Sequence, residues 1–261
     1  MFLSDKTRII QLIRENNFLC YNQGMIIYRI LSTILFILIL PIYAAVRKVK
    51  GKSFGWKEKL GYFTAPKLGD KVIMFHGVSV GEIIALENLI KKTKETFPKY
   101  KIVITTGTKT GQEIAHKKYE NIADFITYFP FDITFCVENF LNKIKPTVVL
   151  IAETELWPTF AAYCKKRNIP LFVINGRISD STFKSYKLVK GFFKELFKNY
   201  TEILTQSEED KNKFIQIGAP ENKTCVMKNL KFDVKRVNAN IEIGKENSRI
   251  IIAGSTHKGE D

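Results

Sequence analysis

The chain has 261 residues, with 41 Lys and Arg against 26 Asp and Glu, a formal net charge of +15 and 45% hydrophobic residues. That apolar content excludes a disordered chain, and 15 Gly, 8 Pro and 4 Cys exclude a collagen-like or disulfide-framework protein. The length suits one large domain or two smaller ones with a sizeable core. Cys20, Cys136, Cys164 and Cys225 include no C-x-x-C pair and read as reduced thiols. The charge points to an anionic membrane surface, a phosphate-bearing ligand or nucleic acid, although a Lys-, Asn- and Ile-rich composition produces it without any function. No zinc finger, RNP-like aromatic box or basic heptad helix is present, so no nucleic-acid partner is expected.

Residues 1–24 form an extension with a weak amphipathic signal at Ile9, Ile10, Leu12 and Ile13. Met25 stands directly before an apolar segment and is read as the functional start. Residues 25–47 read as a hydrophobic membrane anchor. Within them, 30–46 is an uncharged run of about 17 residues. As a helix it is ~25 Å long, barely enough for a bilayer core of ~30 Å. A short span and a half-buried anchor both fit, with a core helix as the alternative. Arg47, Lys48, Lys50, Lys52, Lys57 and Lys59 follow, which places the rest of the chain on the cytoplasmic side.

Residues 48–237 read as an α/β domain. Short apolar runs at 72–76, 102–106, 125–128, 147–151, 171–174, 202–205 and 224–227 predict strands. Between them the pattern predicts helices at 82–94, 110–118, 133–144, 158–167 and 183–198. A further helix starts at Ser207 and ends before Gly218, a C-cap. This alternation predicts a doubly wound, Rossmann-like parallel sheet, whose ligands lie beyond the carboxyl ends of the strands. Residues 238–248 are linker-like, and 249–253 read as a fresh strand. So 238–261 is expected to be a linker and the start of a truncated second domain.

The strand ends carry the chemistry. After the first comes HGVSVGE (76–82), after the second TTGTKTG (105–111), after the third YFPFD (128–132), after the fourth ETELWP (153–158) and after the fifth NGRIS (175–179). Glu82 sits at a helix N-terminus behind Ser79 and Gly81, where it serves either as a general base or as a first-turn acid in the helix dipole. Glu153 and Glu155 hold a sugar hydroxyl, a proton or a metal, or else cap the helix that begins at Pro158. Thr105, Thr106, Thr108 and Thr110 with Gly107 and Gly111 form a loop suited to a phosphate or sugar. Neither loop matches a P-loop or G-x-G-x-x-G, so no nucleoside triphosphate or dinucleotide cofactor is expected. His76 and His116 read as structural, and the three His are not spaced as a metal site. GVSVG satisfies the G-x-S-x-G elbow around Ser79, but the one late His is His257, which argues against a hydrolase.

Together with QSEED (206–210), NLKFD (229–233) and AGSTHKGED (253–261), these strings resemble the Kdo transferases, the 3-deoxy-D-manno-octulosonic acid transferases of lipopolysaccharide synthesis. The resemblance runs from about Met25 to Asp261. It implies a glycosyltransferase B architecture, in which two Rossmann-like domains face each other across a cleft. It implies an acceptor-binding N-terminal domain and a CMP-Kdo-binding C-terminal domain. The implied reaction is inverting transfer of Kdo from CMP-Kdo to a phosphorylated, acylated glucosamine disaccharide, the lipid A precursor lipid IVA. It runs without a catalytic metal or cofactor, at the cytoplasmic face of the inner membrane. The family's proposed base falls on Glu82, with Glu153 as its partner in the cleft. Ser79, Gly81, Thr106, Thr108 and Glu155 become substrate-binding candidates, and Arg177 and Lys184 become phosphate contacts. Thr159, Gly176 and Met227-Lys228 depart mildly from the family strings. The donor residues would lie beyond Asp261, so the isolated chain is expected to bind acceptor and to lack transferase activity. The alternatives are a non-catalytic membrane-bound lipid-binding remnant and a related glycosyltransferase using another sugar donor.

Overall fold

The computed structural model describes residues 23–49 and 55–233. The expectations for residues 1–22 and 234–261 lie outside the described residues, and so do Lys50 and Lys52 of the basic run.

Among the described residues seven parallel strands form one sheet: β1 (Val72–Gly77), β2 (Lys101–Thr106), β3 (Phe125–Tyr128), β4 (Val148–Ala152), β5 (Leu171–Gly176), β6 (Glu202–Thr205) and β7 (Thr224–Val226). Their spatial order is β3-β2-β1-β4-β5-β6-β7. The chain thus builds outward from β1 to β3, then crosses back to lay β4 on the other side of β1. That reversal creates a topological switch point between β1 and β4, the place where an open α/β sheet binds ligands. Every residue of β1, β4 and β5 is buried, because helices cover both faces. One core layer joins Met74, Val149 and Val173 to Phe140, Phe160 and Phe197. The opposite layer joins Phe75, Ile104 and Leu150 to Ile83, Ile90 and Tyr119.

The helices are α1 (Gln23–Val49), α2 (Trp56–Lys59), α3 (Val80–Ala85), α4 (Glu87–Thr96), α5 (Lys109–Tyr119), α6 (Thr134–Ile144), α7 (Pro158–Lys166), α8 (Asp180–Leu188), α9 (Lys190–Phe197) and α10 (Glu208–Gln216). The helix expected over 82–94 is two helices meeting at Leu86, and the one over 183–198 is two meeting at Val189. The second break follows burial. α8 buries no residue, whereas α9 buries Phe193, Leu196 and Phe197, so the chain turns at Val189 to bring those side chains inward. Gly218 follows α10 with φ +114°, a value a non-Gly residue rarely adopts, as its C-cap reading requires.

α1 lies against the body of the domain, packed on α7 and α9. Tyr28, Arg29, Thr33 and Phe36 share one face of it, following helical spacing. The Tyr28 hydroxyl donates to Asp132 at 3.2 Å, and Arg29 donates to Thr134 and to the Tyr163 hydroxyl. The Phe36 ring packs against Phe131 at 5.1 Å, tilted by 56°. The other face exposes Ile27, Ile30, Leu31, Ile34, Leu35 and Leu38. Pro41 lies inside the helix and removes one intrahelical N–H. Among the described residues no helix is long and apolar enough to cross a membrane.

One expectation is corrected here. Lys59 does not extend the basic flank outward. It is buried, its ammonium donates to the Gly107 carbonyl at 2.8 Å, and it lies over the Tyr128 and Phe131 rings. The aromatic walls and the carbonyl hold this cation inside the domain.

Candidate active site

Three carboxylates follow the two strands that flank the switch point. Glu82 follows β1, and Glu153 and Glu155 follow β4, the neighbouring strand. Burial pushes the Glu155 carboxyl up to about 7, and the charges of Glu82 and Glu153 push it the same way. The two strand ends therefore face one electrostatic neighbourhood. Among the described residues no group of three His, Cys, Asp or Glu could hold a metal ion.

Glu82 is buried and turned back on its own helix. Its Oε2 accepts from the Val78 N–H at 2.8 Å, and Oε1 accepts from the Ser79 hydroxyl at 2.6 Å and the Ser79 N–H at 3.2 Å. Ser79 in turn accepts from the Glu82 N–H, which closes a capping box on α3. This holds the carboxylate at a fixed place at the mouth of the sheet. Ser79 is thus the residue that positions Glu82.

The glycines of the two facing loops have different causes. A Cβ at Gly107 would lie 2.7 Å from the Val78 side chain, and one at Gly111 would lie 3.0 Å from the Val78 carbonyl. The loop after β2 is Gly-rich because the loop after β1 packs into it. A Cβ at Gly81 would meet nothing nearer than 3.9 Å. Among the described residues no contact calls for glycine at 81. The Thr106 hydroxyl is buried and donates to Gln112. Thr108 caps α5, accepting from the Gly111 N–H and donating to the Val78 carbonyl.

Glu153 and Asn175 end adjacent strands with φ +57° and +55°, a left-handed geometry that costs a non-Gly residue of order 1 kcal/mol or more and gathers at functional sites. Arg177 donates its Nε to Glu153 at 3.1 Å while remaining 58% exposed. This ion pair brings Arg177 into the carboxylate group. Lys184 is exposed on α8, where its charge acts on Asp180, and no bond joins it to the three carboxylates. Asn175 accepts from the Leu230 N–H through its side chain and from Gln206 through its carbonyl, and Gln206 accepts from Asn229. Asp210 accepts from the Ile178 N–H. The NGRIS, QSEED and NLKFD segments are therefore one hydrogen-bonded unit at the end of β5.

His76 is fully buried, stacked 4.0 Å from the Phe129 ring, and its Nδ1 pairs with Thr105. Burial lowers its pKa to about 3, so it is a neutral structural imidazole. His116 is exposed on α5. Cys136 and Cys164 are free thiols, with the pKa of both raised by burial.

Sequence reasoning missed Asp132. It accepts from the Thr159 and Phe160 N–H groups at 2.9 and 2.8 Å, capping α7 from 27 and 28 residues away, and also from Tyr28. The one signal was the absence of a capping side chain at Trp157, before Pro158.

The family signature for 3-deoxy-D-manno-octulosonic-acid transferase (kdotransferase) matches residues 54–234. The chain belongs to the Kdo transferase family. It is 31% identical to the 3-deoxy-D-manno-octulosonic acid transferase of Rickettsia bellii, over 86% of this chain and 55% of that one. Identity to the enzyme of the same name from Haemophilus influenzae is 30%, over 72% and 46%. It is 34% to a bifunctional glycosyltransferase/methyltransferase of Fusobacterium nucleatum, over 85% and 36%. The chain thus spans about a third to a half of the length of these relatives. Among solved structures it is similar to a UDP-N-acetylglucosamine 2-epimerase from Rickettsia bellii, with 21% identity, TM-score 0.44 and 62% of this chain covered against 46% of that one.

The titration of Glu155 gives a direct check on the site. A Glu in the unfolded chain ionises near 4.5, and the folded one near 7. The folded chain therefore keeps a proton across that window, and stability falls as pH rises through it. Glu155→Gln removes this loss. Denaturant melts are expected to show the variant gaining on the parent from about pH 5 to about pH 8. Parallel pH profiles would mean that Glu155 is not held in this environment.

Proposed function

We propose that this chain is the acceptor-side part of an inverting Kdo transferase, with the switch-point carboxylates as its reactive centre. The supporting observation is the placement of Glu82, Glu153 and Glu155 just past the ends of the paired strands β1 and β4 in a member of this family. In the proposed step an acceptor hydroxyl oxygen bonds to the anomeric carbon of Kdo. The bond from that carbon to the phosphate oxygen of CMP-Kdo breaks, CMP leaves, and the hydroxyl proton passes to Glu82. Attack from the face opposite the leaving group inverts the anomeric centre. Glu153 orients Arg177 toward an acceptor phosphate. Lys184 adds positive charge at the rim. Ser79 holds the base, and Gly81 leaves the start of α3 open to the sugar. Glu155 contacts a sugar hydroxyl, and Thr106 and Thr108 hold the β2 loop that borders it.

The acceptor is the phosphorylated, acylated glucosamine disaccharide of the lipid A precursor. The exposed apolar face of α1 brings the cleft to the cytoplasmic face of an anionic inner membrane. Calorimetric titration of the chain with this acceptor tests the reading. Binding is expected, and removal of the acceptor phosphates is expected to weaken it about tenfold or more. Equal affinity for the dephosphorylated lipid would overturn the phosphate roles. Gly81→Ala is a second test. Ala is the better helix former and nothing crowds it, so the fold should gain up to ~1 kcal/mol. Acceptor affinity should fall; unchanged affinity would remove the start of α3 from the binding site.

A further inference from the structure

An apolar groove of about 600 Å³ runs between α1 and the start of α6. Phe36, Ile37 and Pro41 of α1 face Leu60, Ile133 and Phe135 across it. We propose that this groove is an acyl-chain subsite, holding one hydrocarbon chain of the lipid acceptor beside the carboxylate centre. The proposal rests on the lipid-acceptor reading above.

Three observations select a hydrocarbon chain. The first is the chemistry of the wall. Its two polar residues are Thr33 and Thr134, and both hydroxyls are already engaged. Thr33 donates to the Arg29 carbonyl at 2.6 Å, and Thr134 accepts from the Arg29 guanidinium. An extended peptide in the groove would bring N–H and C=O groups to a wall with almost nothing to pair them, whereas an acyl chain brings none. The second is access. Ile37 and Phe135, 62% and 40% exposed, form an apolar rim that continues into Ile30, Ile34 and Leu38 on α1. Among the described residues this rim is apolar, so a chain entering along α1 meets hydrocarbon. The volume falls within the range of ~300–1,000 Å³ usual for small-molecule sites.

The third is the link to the carboxylates. Leu60 follows Lys59, whose ammonium holds the Gly107 carbonyl. Gly107 packs on Val78, and the Val78 N–H is held by Glu82. Groove and base are thus linked through Lys59, Gly107 and Val78. The proposal places the lipid's head on the Glu82 side of that link.

The test uses cis-parinaric acid, a fluorescent fatty acid, titrated into the whole chain. Saturable binding of one probe per chain is expected. Ile37→Asp places a charge on the rim and should weaken binding about tenfold or more. Leu38→Asp changes a neighbour that is equally exposed, at 63%, but does not line the groove, and should leave binding unchanged. Non-saturable uptake, or equal loss in both variants, would overturn the proposal in favour of adsorption to the α1 face. Ile37→p-benzoylphenylalanine should photo-crosslink to the fatty acid; crosslinks to residues 1–22 or to a second copy would assign the groove to that segment or copy instead. Transfer is read in a chimera joining this chain to the C-terminal part of the Rickettsia bellii relative. Probe binding lost in Ile37→Asp with that chimera's Kdo transfer intact removes the groove alone, and probe binding by a folded chimera that transfers no Kdo overturns the acceptor reading while leaving a fatty-acid site.

Discussion

Glu82→Gln is expected to lower Kdo transfer by about 10²–10⁴-fold, the usual contribution of a positioned general base, while leaving the domain folded. The two effects separate because the capping box accepts either residue. Gln keeps a side-chain oxygen for the Val78 or Ser79 N–H, which Glu82 now serves at 2.8 and 3.2 Å. It has no carboxylate to take the acceptor's proton. Stability should therefore shift by less than ~1 kcal/mol. Transfer is read in a chimera joining this chain to the C-terminal part of the Rickettsia bellii relative, beside the unsubstituted chimera. Equal loss of stability and turnover would make Glu82 a structural cap, and unchanged turnover would remove it from the mechanism. Ser79→Ala has a different signature. It leaves the carboxylate but frees its orientation, so it should lower transfer less than Glu82→Gln and cost ~1 kcal/mol through the lost cap.

Asp132→Ala should cause the largest loss of stability. The carboxylate is buried and serves three donors, two of them the otherwise uncapped amides at the start of α7. Alanine leaves those amides and the Tyr28 hydroxyl without this partner. At ~1 kcal/mol per lost cap, plus the cost of unpaired buried groups, the total is about 3 kcal/mol. For a domain of this size that is a fall of roughly 6–12 °C in Tm. Tyr28→Phe alone should cost ~1 kcal/mol and close to nothing beside Asp132→Ala, since the pair interacts directly. Additive losses in that cycle would mean that α1 is not held through Asp132. Burial also lifts the Asp132 carboxyl to about 6, above its ordinary 3.8. Its ionisation therefore costs stability as pH rises between those values, the same sign as for Glu155.

Asp132 also shows where sequence reading stops. The strands were legible because each is a short apolar run closed by Gly or a polar residue; 125–128 and 202–205 match β3 and β6 residue for residue. The placement of the candidate residues at one edge was legible because a parallel sheet sends the residue after every strand to the same side. Which strand ends are neighbours was not legible. The placement of β4 beside β1, which sets Glu155 against Glu82, is a property of the crossover. The role of Asp132 depends on contacts 27, 28 and 104 residues away, for which no local periodicity exists. Lys59 misled for a related reason. In the sequence it continues a basic run, whereas the fold encloses it between two aromatic rings and a carbonyl. The Gly-rich loop after β2 read as a ligand cradle, yet Gly107 and Gly111 are filled by Val78 from the next loop.

The measurement that tests the central claim most directly is Kdo transfer itself. The chain, alone and as the chimera, is incubated with CMP-Kdo and the phosphorylated, acylated disaccharide, and the lipid product is weighed by mass spectrometry. The expected result is a mass gain of whole Kdo units with the chimera, none with the chain alone, and none when UDP-sugars replace CMP-Kdo. A chimera that folds and binds acceptor but adds no Kdo, or that adds a sugar from a UDP donor instead, would contradict it.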